Sequence, residues 1–98
     1  MEIVALDVRL PSGQVDIVAL DQGRLVIVEV KARTSHAFGL PVEAVDFRKR
    51  RRLRGLAMEY IQAHPGIGDG VRVDVVGVDL DPSGSPRAFE HYPAIETN

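Results

Sequence analysis

Three side chains with the chemistry to hydrolyse a phosphodiester bond lie between residues 16 and 31: Asp16, Glu29 and Lys31. If Gln22-Gly23 forms a two-residue hairpin turn, paired residue numbers on the flanking strands sum to 45. This register predicts Asp16 opposite Glu29 and Gln14 opposite Lys31. Two carboxylates that close together repel each other, which raises the pKa of one of them or recruits a cation.

A cation at this point would be held by oxygen atoms. The sequence has no Cys and only three scattered His, which excludes a thiolate site and disfavours an imidazole site. Mg²⁺ prefers oxygen ligands and keeps several waters when one or two carboxylates bind it. A bound ion polarises a phosphoryl oxygen and lowers the pKa of an attacking water. Lys31, on the same face as Glu29, would orient that water or stabilise charge on the phosphate.

A simpler interpretation stays open for the same residues. Asp16 and Glu29 could form solvent-facing ion pairs with Lys31 and Arg33, each worth less than about 1 kcal/mol. Against this, Glu29 and Lys31 lie inside a valine-rich run, where charged groups need partners.

The charge of the chain is unevenly distributed. The net charge is −2 and the pI is near 5.9. Residues 31–54 nevertheless carry eight of the twelve cations and two of the fourteen acids, a net charge of +6 that leaves −8 for the remainder. Such a concentration of cations is typical of a surface that binds a polyanion.

The order of the elements predicts an α/β domain with a mixed sheet. Strand-like runs at residues 3–10, 15–20 and 25–32 form a meander, separated by turns at Pro11-Ser12-Gly13 and 21–24. Residues 33–40 form a loop, and residues 41–64 form a helix that ends at His64-Pro65-Gly66. Two further strands are predicted, a long one at 71–80 and a short one at 89–92.

The helix carries its apolar residues on one stripe and its arginines on the other side. A helical projection places Arg48, Arg51, Arg52 and Arg54 outward, with Lys49 and Arg50 near the edges of the stripe. These cations either form a solvated surface or contact the phosphate backbone without base specificity. Only Asp46 is close enough in sequence to neutralise them, which favours phosphate contact.

A series of short motifs runs along nearly the whole chain: Gly13–Asp16, Val26–Arg33, Phe38–Gly39, Glu43–Val45, Arg48–Arg54 and Arg72–Val76. In this order they resemble the motifs of the YraN-like bacterial family. That family is similar to a branch of the PD-(D/E)XK nuclease superfamily, and to archaeal Holliday junction resolvases.

The resemblance implies a restriction-endonuclease-like fold for residues 1–98 and a Mg²⁺- or Mn²⁺-dependent endonuclease acting on DNA, including branched DNA. Asp16 and Glu29-Val30-Lys31 match the acid and the (D/E)-X-K motif. Asp16, Glu29 and Lys31 would be catalytic, and the metal would lie on Asp16, Glu29 and the Val30 carbonyl. The nucleic acid would be bound by Arg33, Arg48, Lys49, Arg51, Arg52 and Arg54.

Two departures from the family pattern favour an alternative function. Family members usually begin with a helix that carries a glutamate, whereas this chain begins in a strand at Met1-Glu2-Ile3, as a shortened chain would. Gln14 stands where the family usually has a glutamate. The alternative is therefore an inactive or weakened nucleic-acid-binding module of the same fold.

The remaining expectations are less specific. His36 follows the site in sequence and is a candidate for substrate contact, His64 is expected to interact with the helix C-terminus, and Asp74 is expected to pair with Arg72. No segment is apolar enough to span a bilayer and no signal peptide is evident, which predicts a cytoplasmic protein. Whether the chain works as a homodimer is left open by the sequence.

Overall fold

The computed structural model describes residues 1–35 and 39–97, so the candidates His36 and Phe38 lie outside the described residues. Five strands, one short 3₁₀ turn and one α-helix are found in these two ranges. They are β1 (Glu2–Leu10), β2 (Gly13–Asp21), β3 (Arg24–Arg33), the 3₁₀ turn (Pro41–Ala44), α1 (Phe47–Ala63), β4 (Val71–Leu80) and β5 (Pro86–Tyr92).

The five strands form one mixed sheet in the order β1-β2-β3-β4-β5. β1, β2 and β3 are an antiparallel meander, β4 is parallel to β3, and β5 is antiparallel to β4. The parallel pair requires a crossover, which α1 provides. This confirms the expected fold class and the expected order of elements.

One face of the sheet carries the main core. Leu25 and Ile27 of β3 and Val73 and Val75 of β4 alternate toward α1, as the period of a strand requires. They pack against the buried stripe of the helix, which consists of Leu53, Leu56, Ala57 and Tyr60. This contact fixes α1 against the first halves of β3 and β4.

The helix begins later than the sequence pattern indicated. A continuous helix from residue 41 was expected, but the 3₁₀ turn ends at Ala44 and Val45 is extended, with φ −101° and ψ 94°. Asp46 then caps α1 by accepting a hydrogen bond from the Lys49 amide at 2.9 Å. The Arg50 guanidinium holds the break by donating to the carbonyls of Val45 (2.6 Å) and Val42 (2.9 Å).

The opposite face of the sheet holds a smaller apolar cluster. Ala19, Val26 and Val28 are buried there, with Ile17 and Val76 packed against them.

His64 interacts with the C-terminus of α1, as the sequence predicted. Its Nδ1 lies 3.0 Å from the Tyr60 carbonyl oxygen, and its ring stacks on the Tyr60 ring. In the two described ranges, no helix is long and apolar enough to cross a membrane.

Candidate functional site

The hairpin between β2 and β3 positions the first acid. Its pairing follows the predicted sum of 45 from Asp21–Arg24 to Ile17–Val28. One residue further, the Asp16 carboxylate accepts a hydrogen bond from the Val30 amide through Oδ2 at 2.9 Å. Asp16 is therefore tied by its side chain to the strand that carries Glu29.

The direction of the Asp16 side chain differs from simple alternation. Strict alternation along β2 would place Asp16 on one face with Val18 and Leu20, but Val15 and Val18, three residues apart, both pack in the core under α1. The alternation of β2 side chains between the two faces of the sheet is thus interrupted between these two valines. In this interval the Asp16 side chain turns toward the backbone of β3.

Glu29 lies at the centre of a cluster of opposite charges. It is one of the two buried charged residues in the described ranges, and its side chain is only 10% exposed. Its Oε2 lies 3.7 Å from Lys31 Nζ and makes a close ion pair with Lys49 Nζ, which comes from the first turn of α1. The carboxylate thus has two ammonium partners from two different elements.

The two lysines are perturbed in opposite directions. Burial lowers the pKa of Lys31, and the neighbouring Lys49 ammonium lowers it further. The hydrogen bond to Glu29 raises the pKa of Lys49, against the opposing effect of burial. Glu29 therefore mainly stabilises the charge of Lys49, while Lys31 is the lysine that loses its proton more readily.

Lys49 has a partner that the sequence did not predict. It was expected to bind nucleic acid from the edge of the apolar stripe, and in the structure its ammonium also pairs with Glu29. The helical projection held a signal, since it put Lys49 at the edge of the apolar stripe that faces the sheet. Identifying Glu29 as its partner also required knowing how α1 packs on β3.

The donor chemistry at this point fits a hard divalent ion with few protein ligands. Asp16 on β2 and Glu29 on β3 would supply carboxylate oxygens to such an ion, and Val30 would supply a carbonyl between Glu29 and Lys31. No group of three or more His, Cys, Asp or Glu in residues 1–35 and 39–97 could hold a metal by itself. Water would have to complete the coordination, as is usual for Mg²⁺.

A basic groove adjoins this cluster. It has a volume of about 460 Å³ and is lined by Asp46, Arg48, Lys49 and Arg52. Arg51 and Arg54 are exposed on the same helix, as the helical projection predicted. Lys49 lines the groove and also pairs with Glu29, so the groove and the charged cluster share a side chain.

Arg33 lies at the end of β3, beyond Lys31. It is half-buried, and its Nε and Nη2 atoms are buried without a hydrogen-bond partner among the described residues. Its charge lies near Tyr92 on β5, whose pKa is raised chiefly by its hydrogen bond to Glu90. Arg33 thus borders the carboxyl ends of β3 and β4, apart from the arginines of α1.

A second charged network lies on the other face of the sheet. Asp74 is fully buried and accepts hydrogen bonds from Arg72 Nε (2.9 Å), His91 Nε2 (2.7 Å) and the Ala94 amide (2.9 Å). Arg72 also donates to Asp21 at 2.8 Å. The expected pairing of Asp74 with Arg72 is confirmed, and this network joins β2, β4 and β5.

The arrangement of the strands and of the charged residues on them is consistent with a known class of fold. A mixed five-stranded sheet that carries an acid on β2 and an acid-X-lysine sequence on the adjacent β3, with α1 crossing to a parallel strand, is consistent with the restriction-endonuclease-like fold. The profile of uncharacterised protein family UPF0102 matches residues 1–78. The chain belongs to this family, and the resemblance to the YraN-like family is thereby confirmed.

Individual relatives agree with this assignment. The chain is 45% identical over 89 residues to a UPF0102 protein of Renibacterium salmoninarum, covering 91% of this chain and 75% of the relative. It is 40% identical over 95 residues to a UPF0102 protein of Nocardia farcinica, covering 97% and 74% respectively. A UPF0102 protein of Beutenbergia cavernae is 45% identical over 95 residues, covering 97% and 80%.

Proposed function

We propose that this protein is a metal-dependent, endonuclease-like domain that binds DNA and hydrolyses its phosphodiester bonds. The observation that carries the proposal is the position of Glu29, a buried carboxylate that contacts two lysines and adjoins the basic groove, on the strand to which Asp16 is hydrogen-bonded. Burial of a carboxylate costs free energy, and its two lysine partners compensate that cost; clusters of buried, interacting charged groups of this kind concentrate at functional sites.

Asp16 and Glu29 are the residues that would hold Mg²⁺ or Mn²⁺, together with the Val30 carbonyl. When bound, such an ion supplies Lewis acidity toward a phosphoryl oxygen and lowers the pKa of water. Asp16 is oriented for this role by the Val30 amide, which fixes one carboxylate oxygen and leaves the other available. The hydrogen bond also holds β2 and β3 together where their backbone pairing ends.

Lys31 contributes a positive group whose pKa is lowered by burial. Its ammonium lies on the same side of the sheet as the Glu29 carboxylate. From there it can orient a water molecule, or donate to a phosphate oxygen as negative charge develops on it.

The arginines of α1 would hold the substrate. Arg48 and Arg52 line the groove, and Arg51 and Arg54 extend the positive surface along the helix. Contacts of this kind position the phosphate backbone and carry no sequence information. The substrate class that follows is DNA recognised by its backbone, with branched DNA included among the forms to test.

A cleavage assay tests this function. Wild-type protein is incubated with supercoiled, linear and four-way-junction DNA in Mg²⁺ or Mn²⁺, beside Glu29→Gln, Lys31→Met and the control Glu2→Gln. Glu2 is an exposed acid on β1, so its variant makes the same charge change away from the site. We expect Glu29→Gln and Lys31→Met to cut at least about 100-fold more slowly, and Glu2→Gln to cut like the wild type.

Two outcomes would refute the proposal. Equal cutting by all four proteins would mean that Glu29 and Lys31 play no part in hydrolysis. Tight DNA binding by the wild type without any cutting, in either metal and on every substrate, would support the inactive nucleic-acid-binding module instead.

A further inference from the structure

Lys49 has an ion-pair partner and also lines the basic groove, so Glu29 and a phosphate in the groove would compete for its one ammonium group. It makes a close ion pair with Glu29, and it lines the basic groove between Arg48 and Arg52. The Lys49 side chain is 31% exposed, whereas that of Glu29 is 10% exposed. Lys49 can therefore be reached from the groove, while Glu29 is covered in part by its lysine partners.

The ion pair affects what Glu29 can bind. The formal charges of Asp16, Glu29, Lys31 and Lys49 sum to zero, so the four side chains attract a divalent cation only weakly. Moving the Lys49 ammonium away leaves a net charge of −1. The same movement removes the nearer of the two ammonium groups from Glu29 Oε2, and Lys31 Nζ remains 3.7 Å away.

A phosphate in the groove provides a reason for Lys49 to move. Lysine has a flexible four-carbon stem, so its ammonium can change partners without movement of the helix backbone. The neighbouring Arg52 opposes the charge of Lys49, and a polyanion would relieve that repulsion. Glu29 is the ion-pair partner of Lys49 in the free protein, and a phosphate in the groove would replace it.

We infer that Lys49 is a positioning residue that couples DNA binding to metal binding: it occupies Glu29 in the free protein and releases it when the helix engages a phosphate backbone. This inference rests on the proposed function and concerns the regulation of the same site. Because coupling is reciprocal, the metal must raise DNA affinity by the same factor by which DNA raises metal affinity. The site would then be assembled mainly on its substrate.

The test measures Mn²⁺ binding without relying on cleavage. Mn²⁺ is titrated into ¹⁵N-labelled protein, and paramagnetic broadening of the Val30 amide signal reports occupation of the site. The Leu25 amide, at the other end of β3, is the internal reference. Each titration is done with and without a short DNA duplex, and broadening of Val30 relative to Leu25 separates Mn²⁺ at the site from Mn²⁺ bound elsewhere on the DNA.

Lys49→Met is compared with the control Arg87→Met. Both remove one positive charge, but Arg87 is exposed on β5 and lines neither the groove nor the Glu29 cluster. In the wild type and in Arg87→Met, we expect the duplex to tighten apparent Mn²⁺ binding about tenfold. In Lys49→Met, we expect tight binding without the duplex and little further change when it is added.

The outcomes separate this inference from the proposed function. If Mn²⁺ broadens Val30 and the protein cuts DNA, but Lys49→Met responds to the duplex as the wild type does, the coupling role of Lys49 is refuted and the proposed function stands. If Mn²⁺ fails to broaden Val30 in every protein, with and without the duplex, both are refuted. The amide spectrum itself reports whether each variant is folded.

Discussion

The Asp16 carboxylate accepts a hydrogen bond from the Val30 amide at 2.9 Å, one residue beyond the last backbone pair of β2 and β3. A side chain that we propose as a metal ligand thus performs a structural task that the backbone performs elsewhere in the hairpin. The two tasks have different chemical requirements. Holding Val30 needs an oxygen acceptor, whereas holding a cation needs the negative charge.

Asp16→Asn and Asp16→Leu should separate these two tasks. Asparagine keeps an acceptor for the Val30 amide, so its free energy of unfolding should fall by less than about 1 kcal/mol while metal binding is lost. Leucine removes the acceptor and should cost about 1–3 kcal/mol. Urea unfolding of both variants checks this, and equal stabilities would show that the hydrogen bond contributes little.

The outward arginines of α1 should bind DNA through contacts to its phosphates. Four phosphate contacts by Arg48, Arg51, Arg52 and Arg54 predict a log-log salt slope of roughly −3.6 on duplex DNA. Arg51→Ala should lower the magnitude of that slope by roughly 0.9 and weaken binding equally for unrelated sequences, with little loss of stability. An unchanged slope would make Arg51 part of a solvated surface.

Arg50 offers a matched comparison on the same helix. Its guanidinium donates to the carbonyls of Val42 and Val45 and lies 5.3 Å from the centre of the Phe47 ring. Arg50→Ala should therefore lower stability by about 1–3 kcal/mol and leave the salt slope nearly unchanged. Thermal unfolding and salt titrations of Arg50→Ala and Arg51→Ala check this. A flatter salt slope without loss of stability in Arg50→Ala would contradict the prediction.

The Asp74 network should make stability depend on pH in a defined direction. Burial alone would raise the pKa of Asp74, but the hydrogen bonds from Arg72, Ala94 and His91 outweigh it and lower the pKa below 3.8. A lowered carboxyl pKa contributes stability that is present above the unfolded pKa and is lost as the pH falls through the folded value.

Asp74→Asn should consequently destabilise the protein by about 3 kcal/mol at pH 7. The difference from the wild type should shrink as the pH is lowered below about 4. Urea unfolding between pH 7 and pH 3 measures it, with exposed Asp69→Asn as the control. A difference that stays constant over this range would contradict the assigned pKa shift.

Gly77 should be essential to the placement of the loop before α1. A Cβ added to Gly77 would lie 2.8 Å from Pro41 Cβ, whereas one added to Gly55 on α1 would meet nothing within 4 Å. We expect Gly77→Ala to cost about 1–3 kcal/mol and Gly55→Ala to stabilise by up to about 1 kcal/mol. Thermal unfolding of the pair decides this, and similar melting temperatures would mean that Pro41 moves freely.

The turn chemistry made the central hairpin predictable. Gln22 and Gly23 both have positive φ, at 50° and 82°, which fits a two-residue turn, and the pairing register follows from it. The sequence motifs also predicted that an acid on the second strand precedes an acid-X-lysine sequence on the third, and they predicted the family. The match to the UPF0102 profile confirmed the family. The helical projection predicted which arginines would be exposed, because it depends only on local periodicity.

Long-range packing explains what the sequence could not predict. The pattern Pro41-Val42-Glu43-Ala44 resembles a helix start, but it forms a separate turn that packs on Gly77. Because this turn sets where α1 crosses the sheet, the pairing of Lys49 with Glu29 depends on contacts far apart in sequence. The shift of alternation between Val15 and Val18 likewise depends on the core beneath the helix.

A calorimetric titration with Mg²⁺ and with Mn²⁺ tests most directly the central claim that Asp16 and Glu29 together hold a divalent ion. The wild type is compared with Glu29→Gln, and with Glu2→Gln as the control for charge. We predict saturable binding near one ion per chain for the wild type and Glu2→Gln, and loss of that binding in Glu29→Gln. Identical isotherms for the wild type and Glu29→Gln would contradict the claim, as would the absence of saturable binding both to the wild type and to Lys49→Met, in which the Lys49 ammonium is removed from Glu29.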